Sequence, residues 1–120
     1  MRILLRHLSG SEEGKRQVLP VTRLLLGRDE DCDIRFDLHK DLEVSGRHAE
    51  LIPAEDKRKV EIVDLDSTNG VLVNGEEVKQ RLLQNGDTFE LGHGGPKIHF
   101  QIKRAILRSL LARIFSGSKD

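Results

Sequence analysis

Val44-Ser45-Gly46-Arg47-His48-Ala49-Glu50-Leu51-Ile52 passes from a polar loop into an apolar–polar alternation, and reads as a loop held at the head of a β-strand. Ala49 and Leu51 fall on one face of that strand, and Val60-Glu61-Ile62-Val63-Asp64-Leu65 answers it across the charged connection 53–59. The loop half sets a hydroxyl, a glycine, a guanidinium and an imidazole side by side. Such a set of groups suits an anion.

The same alternation extends in both directions from this pair. Upstream, Ile3–Arg6 predicts a strand that turns through 9–15 into Gln17–Val21 as a hairpin, Arg23–Leu26 predicts another that ends at Gly27, and Ile34–Phe36 follows an acidic turn, Asp29–Asp33. Downstream, Val71-Leu72-Val73 runs into Asn74-Gly75, whose tolerance of positive φ marks a tight hairpin turn. Leu82-Leu83, the turn Asn85-Gly86-Asp87, Phe89 with Leu91, and Ile98, Phe100 and Ile102 complete the series. Short strands at spacings near about ten residues predict an all-β sandwich or barrel over residues 1–102. From Lys103 the period becomes helical: Ile102, Ile106, Leu107, Leu110, Leu111, Ile114 and Phe115 oppose Lys103, Arg104, Arg108 and Arg113. A basic amphipathic α-helix is therefore expected over 103–120; at about 13 residues it rises roughly 20 Å, too little to cross a bilayer.

A chain of 120 residues is sized for one domain. Twenty basic and twenty acidic side chains cancel, which gives no reason to expect nucleic-acid or membrane binding by the domain itself. The charge is unevenly placed: residues 1–100 carry 15 Lys and Arg against 19 Asp and Glu, a net of −4, and residues 101–120 carry 5 against 1, a net of +4. The one cysteine, Cys32, cannot form an internal disulfide, and the N-terminal Met1–Leu8 is too short and too charged for a signal peptide. A soluble protein in a reducing cytoplasm is the expectation.

Several chemistries fail on spacing. Asp29, Asp31 and Asp33 imitate the start of a calcium loop, but Ile34 stands where glycine is required and Lys40 where a bidentate glutamate should be. Ser45 and His48, three apart in an extended segment, tend to face opposite sides, and no third group is identifiable to orient a nucleophile and its base. The five histidines have no metal-ligand spacing, and no nucleotide-binding glycine loop occurs. No catalytic residue, metal or cofactor is expected.

Gly27-Arg28, the segment Val44–Ala49, Asp64-Leu65-Asp66-Ser67-Thr68-Asn69-Gly70, Val73-Asn74-Gly75 and Asn85–Gly92 stand in the order found in the forkhead-associated domain, and residues 1–102 resemble that family. The resemblance implies an eleven-stranded β-sandwich of the FHA/SMAD-like kind, whose loops at one end bind phosphothreonine-containing proteins or peptides. It implies that Arg28 clamps the phosphate, that Ser45 donates to another oxygen, that Thr68 completes the cradle and that Asn69 binds the peptide backbone. Gly46, through its backbone N–H, and Arg47 join this phosphopeptide-binding set. His48 would fix the loops, with Gly27, Ser67, Gly70, Asn74 and Gly75 supporting them. Those residue types fit the ligand, since a phosphothreonine carries about −1.5 to −2 charges and three acceptor oxygens that call for a guanidinium, hydroxyls and backbone donors.

Two positions depart from the family. Gly46 stands where members often carry a basic or amide side chain, and Val71 replaces the threonine common after Asn-Gly, a change that looks like strand packing. The expected function is phosphothreonine-dependent protein–protein interaction without catalysis. The alternative is a phospho-independent interaction or oligomerisation domain of the same fold, acting through a sheet face or the tail helix. The tail's stripe suits packing on the sandwich or self-association better than an anionic membrane.

Overall fold

The computed structural model describes residues 1–56 and 58–103. It contains eleven strands: β1 (Arg2–His7), β2 (Arg16–Pro20), β3 (Leu24–Gly27), β4 (Ile34–Arg35), β5 (Ala49–Pro53), β6 (Val60–Asp64), β7 (Val71–Val73), β8 (Glu76–Val78), β9 (Gln80–Leu83), β10 (Thr88–Leu91) and β11 (Lys97–Lys103). They form a six-stranded sheet in the order β2-β1-β11-β10-β7-β8 and a five-stranded sheet in the order β4-β3-β5-β6-β9. The expected hairpins are present: β1 pairs with β2, β5 with β6 and β7 with β8, each antiparallel. Asn74 and Gly75 both have positive φ, 50° and 84°, as a tight two-residue hairpin turn demands.

The inward-facing residues of both sheets interdigitate into one core. Leu5 and Phe100, Ala49, Leu51 and Ile62, and Phe89 with Leu91 are completely buried, and Phe36 and Val44 add the two ends of a long loop to the same cluster. Val71 lies inside this core with no exposure, in accord with a packing role. Each large apolar side chain so buried stabilises the fold by about 1.5–3 kcal/mol.

The C-terminal amphipathic α-helix needs correction. Among the described residues there is no helix, and Ile102 and Lys103, expected to open one, instead extend β11 opposite Ile3 and Arg2 of β1. Ladder hydrogen bonds and the apolar partner Ile3 outweigh a helical periodicity that begins inside the strand. The rest of that segment, 104–120, lies outside the described residues.

One short connection shapes the functional end. β3 and β4 pair in parallel, Leu26 with Ile34 and Gly27 with Arg35, although only residues 28–33 join them. The tight excursion is closed by the Cys32 N–H on the Asp29 carbonyl and by the Leu25 N–H on the Asp33 carboxylate. It leaves Arg28 at its root, level with the long 36–48 segment before β5.

Phe89 bridges β7 and β11, opposite Val73 and Ile98, with no exposed surface. Phe89→Ala should lower unfolding free energy by about 3–5 kcal/mol in a urea titration. A loss below about 1 kcal/mol would contradict this packing.

Candidate functional site

Three loops meet at one end of the sandwich: 28–33 after β3, 36–48 before β5 and 65–70 between β6 and β7. Their backbones hold one another directly. The Arg28 N–H donates to the Ser45 carbonyl, the Asp29 N–H to the Gly46 carbonyl, and the Leu65 N–H to the His48 carbonyl. Gly27 permits the closest approach, because a Cβ there would meet the Gly46 carbonyl at a distance no real side chain tolerates. Gly27→Ala should therefore displace the 45–46 backbone and lower the unfolding midpoint; an unchanged midpoint with unchanged amide shifts at Ser45 would refute that contact.

His48 is completely buried beneath the loops. Its Nδ1 accepts the Ser45 N–H at 3.0 Å and its Nε2 donates to the Gly70 carbonyl at 2.7 Å. A backbone N–H can only donate and a carbonyl can only accept, so the ring is the neutral tautomer with its proton on Nε2. Burial pushes its pKa below the ordinary value, against smaller upward contributions from the Gly70 carbonyl and the charge of Asp64. The imidazole thus meets the Ser45 backbone and not its hydroxyl, which removes the nucleophile-and-base arrangement.

The Ser45 hydroxyl is used differently. Its oxygen accepts the Thr68 N–H at 3.2 Å, which leaves its proton free to be donated. Thr68 and Asn69 are carried on a loop braced from below: Asp64, whose side chain is fully buried, accepts the Ser67 N–H at 3.1 Å, and the Ser67 hydroxyl accepts the Gly70 N–H at 2.9 Å. Asp66 and Gly70 take positive φ, 54° and 82°, to reverse the chain. Asn69 spends one side-chain N–H on the Glu43 carbonyl at 3.1 Å.

Arg28, Ser45, Gly46, Thr68 and Asn69 line a common hollow of about 290 Å³, with Leu42, Glu43 and Val44. The Arg28 guanidinium donates from Nε to the Val44 carbonyl at 2.5 Å and from Nη1 to the Leu38 carbonyl at 2.6 Å. Two of its five N–H donors are so committed and three remain. It does not pair with the acidic turn that follows it in sequence. The Gly46 N–H has no hydrogen-bond partner among the described residues, and a side chain at position 46 would run into the Asp29 carboxylate.

The other expected residues lie apart from the hollow. Arg47 points outward and pairs with Asp31 at 2.7 Å, both well exposed, an arrangement worth little in stability. Asn74 and Gly75 sit at the far end of β7, where Asn74 bonds Asp87 and Thr88 and so clamps β10. Cys32 is buried, and burial, with Asp31 beside it, raises its thiol above its usual range, leaving it an unreactive small side chain. Among the described residues no group of three or more metal-ligating side chains occurs. The sequence reading missed Leu42 and Glu43 in the wall, because neither belongs to a recognisable motif.

A family model of the FHA domain matches residues 24–92, more than half of the chain. The chain belongs to the FHA-domain family. The FHA domain is 39% identical over 83 residues to the oxoglutarate dehydrogenase inhibitor of Corynebacterium jeikeium, an overlap covering 69% of this chain and 54% of that protein. It is 37% identical over 83 residues to the glycogen accumulation regulator GarA of Mycobacterium tuberculosis, covering 69% of this chain and 48% of the relative. The chain thus spans about half the length of these relatives. Its fold superposes with a TM-score of 0.71 and 30% identity on an FHA domain solved in a study of phosphothreonine-dependent FHA domain interactions, covering 86% of this chain and 98% of that one.

Because His48 is buried neutral, the unfolded chain takes up a proton at a higher pH than the folded FHA domain does. Stability from this residue is complete above the unfolded value near 6.5 and is lost as pH falls from there through the lower folded value. The His48 ring resonances should titrate with a midpoint below 6.5, and unfolding free energy should fall across the same interval. A midpoint at or above 6.5 would overturn the assignment.

Proposed function

We propose that this FHA domain binds phosphothreonine in partner proteins and acts as an interaction module without catalytic activity. The observation that carries the reading is convergence. Residues distant in sequence, Arg28, Ser45, Thr68 and Asn69, share one hollow, where three guanidinium N–H groups and a hydroxyl proton remain uncommitted. Arg28 takes the phosphate through its free N–H groups. The Ser45 hydroxyl, the Gly46 N–H and Thr68 donate to the remaining oxygens, and Asn69 uses its second side-chain N–H on the peptide backbone. Arg47 adds a cation outside the hollow, and His48, Gly27, Ser67 and Gly70 hold the loops in register.

Residues 1–102 constitute the binding module. The similar FHA domain from work on phosphothreonine-dependent interactions supports the ligand, and the regulatory and inhibitory names of the relatives support a role in controlling another protein. A cytoplasmic setting fits the single unpaired cysteine. Among the described residues no helix is long and apolar enough to cross a membrane.

Calorimetric titration with matched peptides, with and without phosphate on threonine, tests the reading. The phosphorylated peptide should bind and its unmodified twin should not, and Arg28→Ala should weaken binding by about ten- to a hundredfold, the scale of charge-assisted hydrogen bonds. Equal affinity for both peptides, or indifference to Arg28→Ala, would favour a phospho-independent interaction domain.

A further inference from the structure

The outward face of the six-stranded sheet carries charges that no neighbour cancels. Ile3, Leu5 and Phe100 turn into the core, so the alternating positions of β2, β1 and β11 put Arg16, then Arg2 and Arg6, then Lys97 and Lys103 on the opposite side. Arg2, Arg6, Arg16 and Lys97 are exposed, and Lys103 is half-buried. No acidic side chain stands on the outward positions of these three strands; the first is Glu90 of β10, opposite Lys97 at the margin. None of the five cations has an ion pair among the described residues. The other sheet treats its outward charges differently, since Glu50 pairs with Arg23 at 3.2 Å and Glu61 accepts a Gln80 side-chain N–H at 2.9 Å.

The strand register makes this arrangement unfavourable for the fold. Arg6 lies directly opposite Arg16, and Arg2 directly opposite Lys103. Like charges set opposite one another on a sheet destabilise it, whereas an acidic residue at either member of a pair would stabilise it. Two such pairs on one face mark a surface whose use lies outside the molecule. Basic and acidic side chains cancel over the whole sequence, and residues 1–100 are net −4, so the positive field is local to this flank. We propose that this face docks on anionic lipid, holding the domain flat against a negatively charged membrane surface. The two like-charged pairs stand four residues apart along β1, about 13 Å at roughly 3.3 Å per residue, so an extended anionic surface meets both at once and a compact anion meets one. A nucleic acid fits less well: Phe36, Phe89 and Phe100 are buried in the core and the chain has no Trp or Tyr, so the face offers bases no such ring to stack on. Lipid also favours apolar side chains among the cations. Val18, 55% exposed, lies opposite Leu4 in the row between the two pairs, and the sequence beyond β11 continues with Arg104, Arg108 and Arg113 separated by leucine and isoleucine. The phosphate hollow opens among the loops at the end of the sandwich and not on this flank, so a domain lying on lipid keeps it free for a partner.

Co-sedimentation of the full chain with vesicles tests the surface, phosphatidylcholine alone against phosphatidylcholine mixed with phosphatidylglycerol. Wild type should sediment with the anionic vesicles and not with the neutral ones. It should be released as salt rises from about 0.1 M to about 1 M, where the screening length shrinks from about 10 Å to about 3 Å. Each cation near such a surface strengthens binding about fivefold, so Arg6→Gln with Arg16→Gln should weaken it by about 25-fold. The same variant relieves a like-charged pair, so its unfolding midpoint should hold or rise; a fall would show that the arginines serve the fold and would overturn the proposal. Arg6→Lys with Arg16→Lys should bind as wild type does. So should Arg58→Gln with Lys59→Gln, which removes equal charge from the exposed β5–β6 connection. Unchanged vesicle binding after Arg6→Gln with Arg16→Gln, or an equal loss in the Arg58 and Lys59 variant, would overturn the docking face. Equal sedimentation with neutral vesicles would do the same. Wild type that binds polyglutamate but not anionic vesicles would assign the face to an acidic protein segment, and would overturn the lipid proposal.

Discussion

His48 lies where the three loops cross, and its buried ring holds a backbone donor of one loop and a backbone acceptor of another. Through Nδ1 it holds the Ser45 N–H, and through Nε2 the Gly70 carbonyl, while its own backbone pairs with Leu26 on one side and Leu65 on the other. Strand β3, the Ser45 loop and the 65–70 loop are thus tied at one residue. A ring without nitrogens would leave the Ser45 N–H unpaired, at about 1–3 kcal/mol, and would leave the Gly70 carbonyl with the Gly92 N–H alone. A protonated ring would turn Nδ1 toward Ser45 as a second donor. Only the neutral imidazole fits, and burial is what keeps it neutral.

Around that anchor the site is made largely of main chain. Gly27 allows two loops to lie backbone against backbone, and Gly92 admits the Glu43 carbonyl and Asn69 on the third side. The side chains that remain at the hollow are therefore held by loops that cannot slide past one another. Ser45 illustrates the consequence, since its hydroxyl oxygen accepts the Thr68 N–H and its proton is left to offer. Orientation is set before any ligand arrives, and the entropy of ordering the loops belongs to folding rather than binding.

Much of the sandwich was legible because its strands alternate and its turns use residues with a mechanism. Asn74-Gly75 predicts a hairpin and both residues adopt the positive φ that the turn needs. Its return strand β8, Glu76–Val78, left no trace of its own, because an edge strand with two exposed glutamates has no apolar face to show. At the other end, helical spacing starting at Ile102 misled because pairing with β1 claims that residue first. Arg28, Ser45, Thr68 and Asn69 could be gathered only through family resemblance, since their separations in sequence say nothing of proximity. Asp41 reads as one more charge in a polar loop, and its burial depends on Ser11, thirty residues upstream. Leu42 and Glu43 escaped notice for the same reason: a wall is defined by what faces it.

The electrostatics of the hollow separate attraction from recognition. One guanidinium lines it, and it is opposed by Glu43 in the wall and by the Asp29 carboxylate beside Gly46. Residues 1–100 carry a net charge of −4, so no broad positive field draws a phosphopeptide in from a distance. A phosphate entering such a site must gain from short, directed hydrogen bonds what it does not gain from long-range Coulomb attraction. The uncommitted N–H groups of Arg28, the Ser45 hydroxyl and the Gly46 N–H are donors of that kind, effective only within about 3 Å and at fixed angles. Discrimination in this domain is therefore a matter of fit at contact, which the rigid joining of the loops by His48 makes achievable.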